Sequence, residues 1–447
     1  MQKFFSIALF FSLLIPVLLF SQEENIVPGE LLIQFKPEAD IESFKNSLTS
    51  YEVEIDRLLS KRMNIWLVKY NPDQIDNVNM LLSVRSNSAV KEAQFNHYVQ
   101  LREGVKAEDI LGVLPNDRST IPNDPQFNQQ WALNNTGQTG GLNDADIDAP
   151  EAWDFSTGGL TSLGDTIVVA IVDGGCDLNH QDLNYWINWN EISGNGIDDD
   201  GNGYIDDYRG WNAYNNNGNV PSSSHGTHVS GIAGASGNNN IGVSGVNWNV
   251  KTMPIGGSSG TESVVIAAYG YVLEMRTLYN ETNGAEGAFV VATNASFGVD
   301  FGQPANYPLW CAIYDSLGMQ GVLSCGATAN LNINIDVEGD VPTACPSPWM
   351  IAVTNTTQND IKNSGAAYGL TTIDLGAPGT NILNTLPGNS YGSLTGTSMA
   401  TPTVTGAIAL MYAAANSGLM QSYMQNPSTG AIAFRDFLFA GTDPIAA

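Results

Sequence analysis

Between about Asn123 and its last residue the chain alternates short, almost wholly apolar runs with longer segments of helical spacing. That alternation leaves few folds open. "TIVVAIVD" (Thr166–Asp173), "NVKTMPI" (Asn249–Ile255), "AFVVATNAS", "GVLSCGA" and "WMIAVTN" read as strands. "ESVVIAAYGYVLEMRTLY" and the segment near "NYPLWCAIYDSLG" read as helices, and a final helix begins near Ser398. A strand with no polar side has to be covered on both faces, which a parallel sheet between two helical layers achieves. The expected class is α/β, a doubly wound parallel sheet, and ligands of such sheets bind beyond the carboxyl ends of the strands.

At 447 residues the chain is too long for one ordinary domain. It opens with Lys3, a 17-residue apolar run (Phe4 to Phe20), the small Ser21 and then "QEEN". This reads as a secretory signal peptide over residues 1–21. An uncleaved anchor is the alternative, since the run almost spans a bilayer. Residues 22–119 hold a compact α+β module over 27–102, with strands "GELLIQF" and "NIWLVKY" and helices "DIESFKNSL" and "QIDNVNMLLSVRS", followed by a polar connector. Residues 120–447 form the large domain.

Charge separates the two parts. Residues 1–119 carry 12 Lys/Arg and 16 Asp/Glu; residues 120–447 carry 5 and 29, a net charge near −24. Such a surface excludes nucleic acid as a partner and suits divalent cations. The basic share of the front part suggests that the two parts are electrostatically complementary.

Three polar motifs fall where the chemistry should be. Asp173 ends the first apolar strand and suits a loop cap, a cation ligand or a base-orienting group. "SSSHGTHVSGIAG" holds two of the four histidines, His225 and His228. They lack the Glu of a zinc-binding H-E-x-x-H, and a zinc site needs further ligands. Ser398 in "GTSMATPTVTGAIALM" opens a helix, where a serine is usually an N-cap but where free N–H groups also favour developing negative charge. Pro402 is expected near the first turn, where its missing N–H costs least.

Together, "IVDGGCDLNHQDL", "HGTHVSGIAG" and "GTSMATPTVTGAIALM" resemble, in order and spacing, the three signature blocks of subtilisin-like serine proteases. The resemblance runs from roughly Asn123 onward. It implies a subtilisin-like sheet with Ser398 as nucleophile, His225 as general base and then acid, Asp173 fixing the imidazole, and His228 packed structurally. Asn330 aligns with the family's oxyanion donor, with Ala329 where glycine is usual. "GGSSG" (Gly256, Gly257, Ser258 and Gly260) and "NASFG" (Ser296, Phe297 and Gly298) resemble the walls on which a peptide lies as an added strand, though each also reads as a plain surface loop. Leu331 stands where a charge would select charged side chains, so uncharged ones are expected at the cleavage position.

The loop "GNGIDDDGNGYIDDYRGWN" spaces Asp198, Asp200, Asn202 and Asp206 as oxygen ligands for Ca2+. Arg209 replaces the EF-hand's closing Glu, so a shorter calcium loop is expected; a solvated acidic loop is the alternative. Asp124, Asp182 and Asn239 match positions that bind a second calcium in relatives. Four cysteines permit three pairings; Cys325 reads as a buried thiol and Cys311–Cys345 as the expected bond. Residues 27–102 resemble the family's propeptides in "VPGELLIQFKP" and "VKEAQFNHYVQL", which implies a self-processing zymogen cut between Leu101 and Asp124. The expected molecule is an exported, monomeric endopeptidase acting on polypeptides, free of the membrane once processed. An inactive subtilase-fold binding protein is the competing class. An α/β-hydrolase esterase is excluded, because no histidine follows either G-x-S-x-G match (Ser258 in GGSSG, Ser390 in GNSYG), so the order Ser…Asp…His is not available.

Overall fold

The computed structural model describes residues 25–102, 105–106 and 120–443. The expected signal peptide and most of the connector lie outside the described residues. In the large domain seven strands form one sheet in the order Leu375–Pro378, Met350–Thr356, Leu323–Ala327, Val290–Ala295, Val168–Asp173, Lys251–Gly256, Trp211–Asn212. Every pairing in it is parallel. Val168–Asp173, first of these in the chain, lies between Lys251–Gly256 and Val290–Ala295, so the connections that follow leave to opposite sides. This is a switch point, and Asp173 marks its carboxyl end.

Successive side chains of that strand feed different layers. Val168, Ala170 and Val172 join a core with helices Glu262–Thr282 and Pro308–Met319. Ile167, Val169 and Ile171 join the core under helices Ser224–Gly234 and Thr397–Ala414. The period of two and the double burial together explain why the run shows no polar alternation.

The chain's last described part is richer than its sequence suggests. Helices Ser417–Gln425 and Pro427–Ala440 follow the helix expected to be final, and the hairpin Ile382–Leu386/Ser390–Thr395 precedes it. Among the described residues no helix is long and apolar enough to cross a membrane.

The front module is an antiparallel sheet of Ile26–Phe35, Glu54–Ser60, Ile65–Lys69 and Val90–Leu101. One face, with Leu31, Ile33, Phe35 and Val68, packs on the module's own helices through Phe44, Met80 and Val84. The other face, with Leu32, Leu59, Ile65 and Leu67, belongs to the core built around helix Glu262–Thr282. The module thus buries an apolar face against the large domain. Polar contacts frame it: Arg62 pairs with Glu274 and Glu281, both at 2.8 Å, as the charge division suggested. His97 Nδ1 lies 2.7 Å from Glu262 Oε2, and Gln94 donates to the other oxygen at 2.6 Å.

Leu32→Asp would place a carboxylate in that interface while sparing the module's own core. The loss should be at least about 2 kcal/mol, because the charge meets no partner there. In limited proteolysis of the full chain, residues 26–101 should then be cut before the large domain; equal resistance of variant and wild type would contradict the packing argument.

Candidate active site

Ser223 caps helix Ser224–Gly234, its Oγ accepting from Gly226 N. This sets His225 in the first turn, where Nδ1 donates to Asp173 Oδ2 at 2.8 Å; both residues are buried. Asp173 Oδ1 accepts from Gly174 N at 2.7 Å. Gly226 must be glycine because a Cβ would meet Gly175 O at 1.9 Å and Asp173 Oδ1 at 2.9 Å. A neutral imidazole that donates from Nδ1 keeps its lone pair on Nε2, the form that can accept a proton. His228 has another task. It is fully buried with Nε2 3.0 Å from Gly392 O, and burial pulls its imidazole down to about 4, so it stays neutral.

Ser398 stands second in helix Thr397–Ala414, which packs against the helix carrying His225. Here the sequence reading of Pro402 needs correction. Pro402 lies inside the helix, where its absent N–H would have bonded the Ser398 carbonyl four residues back. Ser296 Oγ replaces it, donating to Ser398 O at 3.0 Å. Asn294 Nδ2 donates in turn to Ser296 Oγ, and Thr405 Oγ1 to Asn294 Oδ1. Ser296, expected on a substrate wall, therefore sits buried behind the nucleophile candidate, and its side chain holds that backbone in place. Asn330 Oδ1 accepts from Thr397 N and Oγ1 at 2.9 and 3.0 Å, which reserves its Nδ2 as a donor.

The cleft is filled by the chain itself. The Val90–Leu101 strand runs out of its own sheet and lies between two edges: Tyr98 and Val99 pair with Thr261 and Gly260, while Gln100 and Leu101 pair with Gly298 and Phe297. Ser398 Oγ donates to Arg102 O at 2.6 Å. Beyond it, Val105 and Lys106 pair with Thr395 and Leu394. Of the expected wall residues, Gly260, Phe297 and Gly298 meet this strand. Gly256, Gly257 and Ser258 do not pair with it: Gly256 belongs to the parallel sheet, Gly257 N donates to Asp173 O, and Ser258 N donates to Tyr214 Oη. Leu331 sits on an exposed loop, and the residue whose carbonyl accepts from Ser398 Oγ is the buried Arg102.

The acidic loop also differs from its spacing. Carboxylate oxygens of Glu191, Asp198 and Asp200 lie within 4.8 Å of one another. Glu191 Oε2 and Asp198 Oδ1 are buried with no hydrogen-bond partner among the described residues, an arrangement that fits a hard cation. Asp206 is not among them; at φ 56° it turns away and accepts from the N–H groups of Gly194, Asn195 and Gly196. Asn202 uses its amide on Asp200 and Asp207. Glu191 was missed because it precedes Asp198 by seven residues, outside the D-x-D-x-N pattern. At the second location Asp124 and Asp182 converge on Asn239: Asn239 N donates to Asp124 at 3.0 Å and its Nδ2 to Asp182 at 2.7 Å. Burial pushes both carboxyl groups up, and Asp124 raises Asp182 further. That oxygen-rich, cation-poor set also fits Ca2+. Cys311 and Cys345 are bonded; Cys176 and Cys325 are buried thiols.

A switch-point aspartate, a histidine bonded to it and a helix-opening serine in one cleft define the class of the subtilisin-like folds. The model of the subtilase family (Peptidase_S8) matches residues 164–432, and the chain belongs to that family. It is 33% identical over 264 residues to subtilisin-like protease 1 of Plasmodium falciparum (isolate 3D7), covering 55% of this chain and 37% of that protein. An extracellular protease of Xanthomonas campestris pv. campestris is 34% identical over 344 residues, covering 71% and 53%. The chain thus spans about half or less of the length of these relatives. Among solved structures, fervidolysin from Fervidobacterium pennivorans superposes with a TM-score of 0.62 at 19% identity over 91% of this chain and 56% of its own. The epidermin leader peptide processing protease of Staphylococcus aureus gives 0.59 at 16%, over 90% of each. Both likenesses concern the fold.

Ser296→Ala should leave the buried Ser398 carbonyl without a partner and cost about 1–3 kcal/mol of stability. Denaturant unfolding of wild type and variant checks this; a difference near zero would mean that the helix accommodates Pro402 by itself.

Proposed function

We propose that this chain is an exported, calcium-stabilised serine endopeptidase made as a zymogen, with residues 22–119 as propeptide and connector. The observation that carries the reading is the 2.6 Å hydrogen bond from Ser398 Oγ to the carbonyl of Arg102, with backbone pairing on both sides of it. A peptide held so presents its carbonyl carbon to the serine. In this reading Ser398 Oγ attacks, His225 takes its proton and later gives it to the leaving amine, and Asp173 holds the imidazole tautomer. The Asn330 amide and the N–H groups at the helix start stabilise the oxyanion. The front module acts as inhibitor and folding partner, since its outer sheet face is complete only against helix Glu262–Thr282. Export is supported by the N-terminal apolar run and by the named extracellular relative.

Ca2+, when bound, supplies positive charge that joins loops otherwise repelling one another. Glu191, Asp198 and Asp200 would hold one ion; Asp124, Asp182 and Asn239 would hold the other.

The full chain should shed its front module, leaving a fragment near 10 kDa, and the Ser398→Ala chain should stay whole. A Ser398→Ala chain that is processed at the wild-type rate in purified form would exclude self-cleavage. Chelation should lower the melting temperature and speed self-digestion, because a native-state ligand contributes roughly 3 kcal/mol at a hundredfold excess over its dissociation constant. Glu191→Gln should reproduce part of this loss, and an unchanged melting curve under chelation would remove calcium from the account.

A further inference from the structure

Arg102 lies in a pocket built for a guanidinium. Its Nη1 donates to Ala327 O and its Nη2 to Asp340 Oδ1, with Asp300 Oδ1 3.1 Å from the same nitrogen. Arg102 and Asp340 are both buried. Thr343 Oγ1 donates to the second oxygen of Asp340, so that carboxylate has one oxygen anchored and one turned to the arginine. The floor is rigid: Ala344 N donates to Asp340 O at 2.7 Å, and the Cys311–Cys345 bond ties this turn to helix Pro308–Met319. Gly298 leaves the room required, since a Cβ there would come within 2.6 Å of Arg102 Nη2.

Phe297–Asp300 pairs with Asp340–Val341 so that Asp300 and Asp340 stand directly opposite each other. Like charges at such positions destabilise a ladder. A cation between the two carboxylates removes that repulsion, and here the cation arrives with the peptide in the cleft. The planar fork also reaches a carbonyl and a carboxylate together, which the single ammonium of lysine cannot do in the same way.

We propose that this pocket selects arginine as the residue before the scissile bond, so that substrates are polypeptides cut after arginine and the chain's own first cut falls between Arg102 and Glu103. The proposal rests on the endopeptidase reading. In the self-cleavage Ser398 Oγ bonds to the Arg102 carbonyl carbon and the Arg102–Glu103 C–N bond breaks. The serine proton passes through His225 to the Glu103 amine, and water then hydrolyses the ester and restores Ser398.

The test uses the self-processed enzyme on peptides that differ only in the residue before the cut: Arg, Lys, Leu and Glu. Arginine should lead. In Asp340→Asn the ratio of kcat/KM for Arg over Leu should fall by on the order of a hundredfold or more, as when one partner of a buried charge pair is removed. In case Asp340→Asn does not fold, Arg102→Leu in the full chain leaves the large domain untouched. It should slow the first cut at least about tenfold or move it to another bond, which intact mass reads directly. Equal rates for Leu and Arg, or an Arg102→Leu chain cut at the same bond at the wild-type rate, would overturn the pocket assignment. A folded wild type that cuts neither itself nor any peptide would instead overturn the endopeptidase reading.

Discussion

A peptide bond is open to attack when its backbone is extended, immobile and placed with its carbonyl beside the nucleophile. In this molecule the hold comes from strand addition: residues 98–101 sit between Gly260–Thr261 and Phe297–Asp300, and residues 105–106 pair again beyond the carbonyl of Arg102. Main-chain pairing of this kind ignores side-chain identity. The strand ends, the helix starts and the front module all meet at this slot.

Two kinds of support keep Asp173, His225 and Ser398 in place. The parallel sheet delivers Asp173 at its switch point and lets Gly226 bring the His225 helix close to it. The other support is polar and buried. Ser296 restores the hydrogen bond that Pro402 denies to the Ser398 carbonyl, while Asn294 and Thr405 hold Ser296. A proline in that helix makes the first turn depend on a neighbouring strand, which couples the position of the serine to the wall of the cleft.

Much of this was legible in the sequence, and for physical reasons. The central strands are apolar on both sides because both faces are buried, so their class could be read without any partner in view. Asp173, His225 and Ser398 are each ambiguous alone, and it is the resemblance of their three blocks, in order and spacing, to the subtilisin-like signature that singles them out. What stayed hidden depends on long-range contact. Glu191 joins Asp198 and Asp200 only through the fold of the loop, and Asp206 leaves them because it caps three N–H groups instead. Asp340 lies 42 residues after Gly298, and nothing in "EGDVPTAC" points to a cleft. Only the pairing of Asp300 with Asp340 brings the two acids around Arg102.

The chain's own segment lies in the cleft as an added strand, with the carbonyl of Arg102 at Ser398. A crystal structure of the full-length Ser398→Ala chain examines it most directly. The expected density has the carbonyl of Arg102 over the alanine at position 398, residues 98–101 paired on both sides, and the guanidinium between Asp300 and Asp340. A cleft empty of residues 98–102, or a segment crossing it with another carbonyl at position 398, would contradict the account.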